Sequence, residues 1–301
     1  NKKMDELIMN NLRLADYVTT TTPLFAEEIK KICPNVHVLP NCVDPKEKQF
    51  QHNPEKSDRV RVGWLGGSSH LADLEILRGM VDRLGSLQEK MQFVLCGFDT
   101  RGSITEMNPQ NGEQRTRKIK PKESVWYEYE KIFTGNYKIV DKEQMTQLMQ
   151  FNFGEEFGDS NTPYRRVWTK PITTYASNYN KFDISLAPLK HHTFNRVKSQ
   201  LKVIEAGFHK KALIAQDFGP YQIDCINAYE KGGTFNSKGN SLLIDASRNH
   251  KQWAQHIKRL VTNPSLIEDL GERLYESVQK YHIDRVTEER AELYKQIIKS
   301  H

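Results

Sequence analysis

Long apolar runs are missing from this 301-residue chain, and no stretch comes near the roughly 20 residues that a membrane-spanning helix needs. Cysteine is scarce: Cys33, Cys42, Cys96 and Cys225 are scattered, with no CxxC pair. They read as ordinary thiols of a reducing compartment, so a cytoplasmic location is the expectation. No internal repeat, low-complexity tract or signal-peptide pattern is visible. The first residue is Asn rather than Met, so a fragment or processed chain is expected. Interleaved basic and aromatic residues of a nucleic-acid-binding module are lacking, which argues against nucleic acid as a partner. His191-His192 has no third ligand at metal spacing, so no metal site is expected. Gly63-Trp64-Leu65-Gly66-Gly67 has the wrong spacing for a GxGxxG fingerprint, and no Gly-Lys-Ser/Thr follows to make a P-loop.

What is present is a foldable composition with a basic bias. Hydrophobic residues make up 37% and aromatics 10%, enough for a core. The formal net charge of +6 suits anionic partners: nucleotide diphosphates, a lipid phosphate or an anionic membrane face.

Hydrophobic spacing divides the chain. Leu7 to Leu14 and Leu24 to Ile32 read as helices, with strands at Ala15 to Thr22 and Val36 to Leu39. A polar linker, Pro45 to Asp58, follows. From Arg59 strands and helices alternate: strand Val60 to Leu65, helix Leu71 to Leu84, strand Gln92 to Cys96. Alternation of this kind predicts a parallel sheet covered by helices on both faces. The rhythm breaks from Thr100 to Tyr164, which reads as an insertion at the edge of the unit. Within it Thr100 to Pro121 and Phe153 to Pro163 are loop-like, and Ser124 to Phe133 and Lys142 to Met149 are helical. It resumes with a strand at Arg166-Val167-Trp168, a helix at Tyr175 to Lys181 and a strand at Asp183 to Leu189. Trp253 to Val261, Leu266 to Val278 and Val286 to Ile298 are the last helices.

Three constellations could carry chemistry. In Gly66-Gly67-Ser68-Ser69-His70, two glycines after a strand let backbone approach a ligand, and the next helix N-terminus can hold a phosphate. The plain alternative is a tight turn with Ser69 as N-cap and His70 exposed. In the second, Val197, Leu201, Ile204 and Phe208 recur at helical spacing after Asn195, a good N-cap, while Lys198, Lys202 and Glu205 share an adjacent line. Two lysines one turn apart gain from an anion between them. The alternative is a solvated face. The third is Val167-Trp168 with Tyr175 and Tyr179, which could equally fill core or groove surface. The run His209-Lys210-Lys211 reads as solvated.

At Ala187-Pro188-Leu189, Phe194-Asn195, Lys198-Ser199, Lys202, Glu205-Ala206, Leu213-Ile214-Ala215 and Gly219-Pro220-Tyr221 the chain resembles the C-terminal, nucleotide-sugar-binding domain of GT-B glycosyltransferases, group 1 (family 4-like). The Asn41 to Asp44 turn resembles the point where that family leaves its N-terminal domain. The resemblance implies a Rossmann-like α/β unit and this division: 1–44, the last β-α-β piece of an acceptor domain; 45–58, a linker; 59–285, a donor-binding domain with the insertion 100–164; 286–301, a helix returning to the N-terminal piece. It implies glycosyl transfer from a nucleotide-diphosphate sugar to a saccharide or lipid-linked acceptor in surface-polysaccharide assembly, with possible peripheral contact at the inner membrane face. No cofactor beyond the donor is implied.

The implied roles are residue by residue. Lys198 and Lys202 stabilise the departing diphosphate. Glu205, matching the second of two family glutamates eight positions apart, binds the ribose. Gly66, Gly67, Ser68, Val167, Trp168, Asn195 and Ser199 contact the donor. The first family glutamate would fall on Val197, and the family's Arg and Lys near the first β-α loop are replaced by Trp64 and Ser69. Positive charge must then come from Lys198, Lys202 or Arg196. Asp-x-Asp occurs nowhere, which favours metal-free stabilisation by lysines and a helix dipole. Two rivals stay open: a nucleotide-sugar-binding module without chemistry, and a GT-B-type nucleotide-sugar epimerase. By the same resemblance this chain alone should bind a nucleotide diphosphate but turn over no acceptor.

Overall fold

The computed structural model describes residues 2–99, 101–149, 156–230, 232–245 and 250–300. The parts of the 100–164 reading at 100 and 150–155 lie outside the described residues.

The N-terminal piece comprises helix α1 (Lys2–Leu14), strand β1 (Val18–Thr20), helix α2 (Pro23–Ile29) and strand β2 (Val36–Val38), with β1 and β2 parallel. Thr22 caps α2, its hydroxyl accepting from the Phe25 amide at 3.2 Å, and Pro23 occupies the first turn, where no amide proton is missed.

The main unit is a six-stranded, all-parallel sheet. Its strands are β3 (Val60–Leu65), β4 (Met91–Phe98), β7 (Tyr164–Trp168), β8 (Ile184–Ala187), β9 (Ala212–Gln216) and β10 (Leu242–Ile244), in the order β10-β9-β8-β3-β4-β7. Strand periodicity of two divides it into layers. Phe93, Leu95, Ile184, Leu186, Ile214 and Ile244 join one core, while Val94, Cys96, Ala187, Leu213 and Leu243 join the other. Burial on both faces explains why these strands read as continuous apolar runs. Each buried Val, Leu or Ile contributes about 1.5–3 kcal/mol. The sheet grows from β3 outward through β4 and β7, then restarts on the other side with β8, so chain direction switches between β3 and β8.

After β3 the chain makes only one α-helical turn, α3 (Leu71–Leu74), followed by 3-10 turns at Glu75–Leu77 and Val81–Arg83. The continuous helix expected over Leu71 to Leu84 is broken at Gly79, whose φ of +92° lies in the left-handed region. Ser69 is not its cap; His70 holds that position, without a side-chain cap bond.

The expected loop after Thr100 is in part an exposed antiparallel hairpin, β5 (Ser103–Met107) with β6 (Gln114–Lys118). Helix α4 (Val125–Thr134) then begins under Ser124, whose hydroxyl accepts from the Trp126 amide, and α5 (Lys142–Met149) follows. The expectation that this whole segment sits at the edge does not hold. Trp126, Tyr129 and Phe133 recur at helical spacing and are buried in the first core.

Beyond β8 lie α6 (Thr193–Arg196) and α7 (Leu201–Phe208); after β9 and β10 come α8 (His250–Val261), α9 (Pro264–Val278) and α10 (Ile283–Ser300). Helices α4 and α8 contribute to one core, and α7 with the later turns of α9 to the other. The run at His209 is not solvated: His209 and Lys211 are buried, and burial pushes the Lys211 amine down to about 8. Lys210 pairs with Glu272 at 2.8 Å. The N-terminal piece is tied to the chain's end, the Val43 amide donating to Tyr281 and the Ile283 amide to Val43, both at 2.9 Å.

Candidate functional site

A cleft of about 670 Å³ opens at the carboxyl ends of β3 and β8, the point where strand order switches. Parallel sheets leave such a crevice there because successive connections diverge to opposite faces. One wall is the loop after β3, with Gly66, Gly67, Ser69 and His70; the other carries Pro188, Leu189, Phe194, Lys198, Ser199, Lys202 and Glu205. Gly66 has no room for a Cβ, which would fall 2.5 Å from the Trp64 ring, whereas one on Gly67 would meet open space. Backbone therefore faces the cleft where a side chain would fill it.

The opposite wall departs from the predicted single helix. Helix α6 is one turn, capped by His192, and the chain breaks over 197–200 before α7 starts at Leu201. Lys198 and Ser199 thus stand in the break, and Lys202 and Glu205 in the first two turns of α7. Asn195 is no cap. It is buried, and its amide donates to the Asp73 carboxylate and the Lys190 carbonyl, both at 2.9 Å.

Lys202 donates to the Leu65 carbonyl and lies 5.0 Å from the Trp64 ring centroid. Burial pushes its ammonium down to about 8, against the pull of Glu205 and Asp73. Glu205 is only 4% exposed. It accepts from the Tyr175 hydroxyl and, at 3.1 Å, from the Tyr179 hydroxyl, and burial raises it above the usual carboxylate range. These tyrosines hold the acid in place rather than merely filling core.

Several of the residues singled out from sequence do not line this cleft. Val167 is fully buried in the second core and does not line the cleft. Trp168 packs on Phe98, 5.9 Å between centroids, and the next two residues, Thr169 and Lys170, line the cleft instead. Ser68 is exposed and belongs to a neighbouring recess with Asp99 and Ser124. Arg196 pairs with Glu27 and Glu28 of α2, at 3.5 and 3.0 Å, so its charge is engaged away from the cleft.

Asp73 was not singled out from sequence. It stands on α3, 4% exposed, and accepts from His70 Nδ1, the Lys190 amide and Asn195 Nδ2, each at 2.9 Å. Burial raises its pKa, but the bonds from His70 and Lys190 outweigh that and hold it below the usual carboxylate range. A lone Asp in a short turn carries no signal in sequence; the partners come from β8 and beyond. A second cavity, about 500 Å³, lies on the other side of Glu205, lined also by Thr19 to Thr21, Asn41, Cys42, Arg290 and Tyr294. No group of three or more metal-ligating side chains occurs among the described residues.

Solved structures place this architecture. Sucrose-phosphate synthase from Thermosynechococcus elongatus superposes with a TM-score of 0.62 at 16% identity, over 100% of this chain and 63% of the synthase. The chain has a GT-B glycosyltransferase fold. TarM of S. aureus, solved with fondaparinux, α-GlcNAc-glycerol and UDP, shares the GT-B likeness at TM-score 0.59 and 16% identity, over 97% of this chain and 46% of TarM. Anabaena HepE, solved with UDP and glucose, matches at TM-score 0.59 and 12% identity, over 97% of this chain and 68% of HepE. The chain thus spans less than two thirds of the synthase and under half of TarM. No family model and no curated protein matches the sequence. In this GT-B fold the described helices include none long and apolar enough to cross a membrane.

Proposed function

We propose that the cleft binds a nucleotide-diphosphate sugar and that the chain forms the donor side of a glycosyltransferase. The observation that carries this reading is the convergence of Lys198, Ser199, Lys202 and Glu205 on the Gly66-Gly67 loop, in one cleft at the strand switch of a GT-B fold. In transfer, the bond from the sugar's anomeric carbon to the diphosphate breaks, a bond to the acceptor oxygen forms, and the acceptor loses its proton. Negative charge grows on the departing phosphate oxygen. Ammonium groups held in a water-poor cleft stabilise it better than in bulk water, so Lys202 and Lys198 take that role. Glu205 anchors the ribose. Each carboxylate oxygen has two acceptor sites, so a tyrosine on each leaves one per oxygen for vicinal hydroxyls.

The finer reading follows the same support. The acceptor is a saccharide or a lipid-linked acceptor in surface-polysaccharide assembly; the scattered thiols favour a cytoplasmic location, and the net charge of +6 favours peripheral contact at an anionic membrane face. Because the chain spans only part of the length of the matched structures, catalysis is proposed for the whole protein; this chain alone binds donor without turnover. The leaving group is stabilised without metal. A binding module without chemistry is favoured only by Val197, which stands where the family motif has a glutamate.

Calorimetric titration with nucleoside diphosphates and their sugars, with and without EDTA, tests the binding reading. Saturable binding that survives chelation is expected. Loss in EDTA with recovery in Mg²⁺ or Mn²⁺ would sink the metal-free account. Product analysis on the whole protein separates transfer, which yields nucleotide plus a glycoside, from epimerisation, which yields a sugar isomer.

A further inference from the structure

Asp73 ties together three parts of the cleft. Its Oδ2 accepts from His70 Nδ1 on the β3 side; its Oδ1 accepts from the Lys190 amide and the Asn195 amide group on the β8 side. With a carboxylate as its partner, His70 Nδ1 must carry a proton, because the acid offers only acceptors. That leaves Nε2 as the ring nitrogen for whatever enters the cleft that His70 lines. The backbone of His70 is held too. Its own amide donates to the Tyr129 hydroxyl at 2.9 Å, and that hydroxyl donates to the Gly67 carbonyl at 3.3 Å. Edge-on, the imidazole meets the Trp64 indole at 5.8 Å, the indole that also carries Lys202 at 5.0 Å. His70 and Lys202 therefore flank one ring, with Gly66 packed against it and Gly67 open to the cleft.

We propose that His70 is a donor-binding residue whose Nε2 hydrogen-bonds the diphosphate, opposite Lys202, and that Asp73 is the positioning residue that fixes its ring orientation, answers its charge and holds the two cleft loops at a fixed spacing. The inference rests on the donor reading above. A phosphate oxygen is acceptor-only, so the diphosphate binds the imidazolium, with Nε2 donating and Nδ1 still donating to Asp73. The groups around His70 are Asp73 on its own turn and the Trp64 indole on β3 at the ring, the Tyr129 hydroxyl of α4 at the backbone amide, and Lys198 and Lys202 among the residues lining the same cleft. This imidazole takes part of the cationic role that the bidentate pairing of Arg196 with α2 removes from the cleft.

Imidazole ¹⁵N resonances of the labelled chain, assigned with His70→Gln, provide the test, with UDP and uridine as probes. In the free chain His70 should show the Nδ1-protonated form. UDP should shift Nε2 toward the protonated position, and uridine should leave it unmoved. His70→Asn keeps an amide proton for Asp73 but has no group at Nε2; it should weaken UDP about tenfold or more and uridine hardly at all. His70→Gln, whose amide reaches the Nε2 position, should recover part of that loss. Asp73→Asn should redistribute the tautomers. UDP binding at Lys202- and Glu205-dependent affinity with an unmoved Nε2 would overturn this inference and leave the donor reading standing. A chain that binds neither UDP nor any other nucleotide would overturn both.

Discussion

Glu130 and Glu205 are both buried carboxylates with a tyrosine bonded to them, yet they do different work. Glu130 is enclosed in the core between α4 and β7. Arg166 grips it with two bonds, at 2.7 and 2.8 Å, Tyr164 donates at 2.8 Å, and the same guanidinium donates to the Leu148 carbonyl at 2.9 Å. Its charge is answered by a cation in direct contact. Glu205 has two phenol hydroxyls and, among the described residues, no cation within bonding distance, since Lys202 one turn away donates to Leu65 instead. One carboxylate accepts three bonds, two of them from a guanidinium, and is enclosed by protein. The other accepts two, both from neutral hydroxyls, and forms part of the walls of two cavities. A carboxylate kept oriented, short of a cation and against a cavity retains capacity for a ligand; one clamped by arginine inside the core is out of a ligand's reach.

The comparison breaks most visibly at Arg166. Arg166→Ala leaves Glu130 buried and unpaired, so we expect a loss of about 3–5 kcal/mol in denaturant unfolding, with nucleotide affinity unchanged below the transition. Glu205→Ala should do the reverse. Affinity for a nucleoside diphosphate should fall by about 1.5–3 kcal/mol in calorimetric titration, with a smaller change in unfolding free energy. Equal effects of both substitutions on stability, and none on binding, would erase the distinction.

Acidity sharpens the contrast. With its ammonium pushed down to about 8 by burial, Lys202 is cationic below that pH and neutral above it. Diphosphate affinity should therefore fall as pH rises through about 8, by up to ~10-fold per unit, and Lys202→Met should flatten the profile. The stability term runs the other way. Above about pH 8 the unfolded chain holds this proton more firmly than the folded one, so Lys202's contribution to stability rises with pH up to the ordinary lysine range. The smallest effect belongs to the β5–β6 hairpin, whose ends already meet through the Ile119 amide and the Gly102 carbonyl at 3.2 Å. Replacing residues 103–118 by a short Gly-Ser link should cost about 1 kcal/mol or less, since exposed ion pairs such as Arg117 with Glu106 contribute little.

Much of the architecture was legible because it is written in local periodicity. The strands β3, β4, β8 and β9 are apolar runs, and α5, α8 and α9 are amphipathic repeats that any window of a dozen residues displays. The Lys198, Lys202 and Glu205 group was legible as a motif and does line one cleft. What escaped was non-local or conformational. The break over 197–200 follows from tertiary contacts, with Gln200 drawn to Asp224 at 3.3 Å and to Tyr281 at 2.9 Å, not from helix-breaking residues. Asp73 depends on partners 117 and 122 residues away. Trp126, Tyr129 and Phe133 did carry a readable stripe, and the polar stretch before them obscured it.

The staple between Val43 and the start of α10 also has a consequence in time. Lys46 and its partner Asp284, on the first turn of that helix, are 238 residues apart in the chain. At a synthesis rate of about 5–20 residues per second, the partner arrives roughly 10–50 s after Lys46 is made. Val43, 1% exposed with the staple in place, lacks its hydrogen bonds with Tyr281 and Ile283 through that interval. All six strands of the sheet have been made before then, since β10 ends at Ile244. The junction with the N-terminal piece therefore cannot close until synthesis has passed Asp284, after every strand of the main sheet has been made, and until then the Val43 stretch should be the more open to proteases.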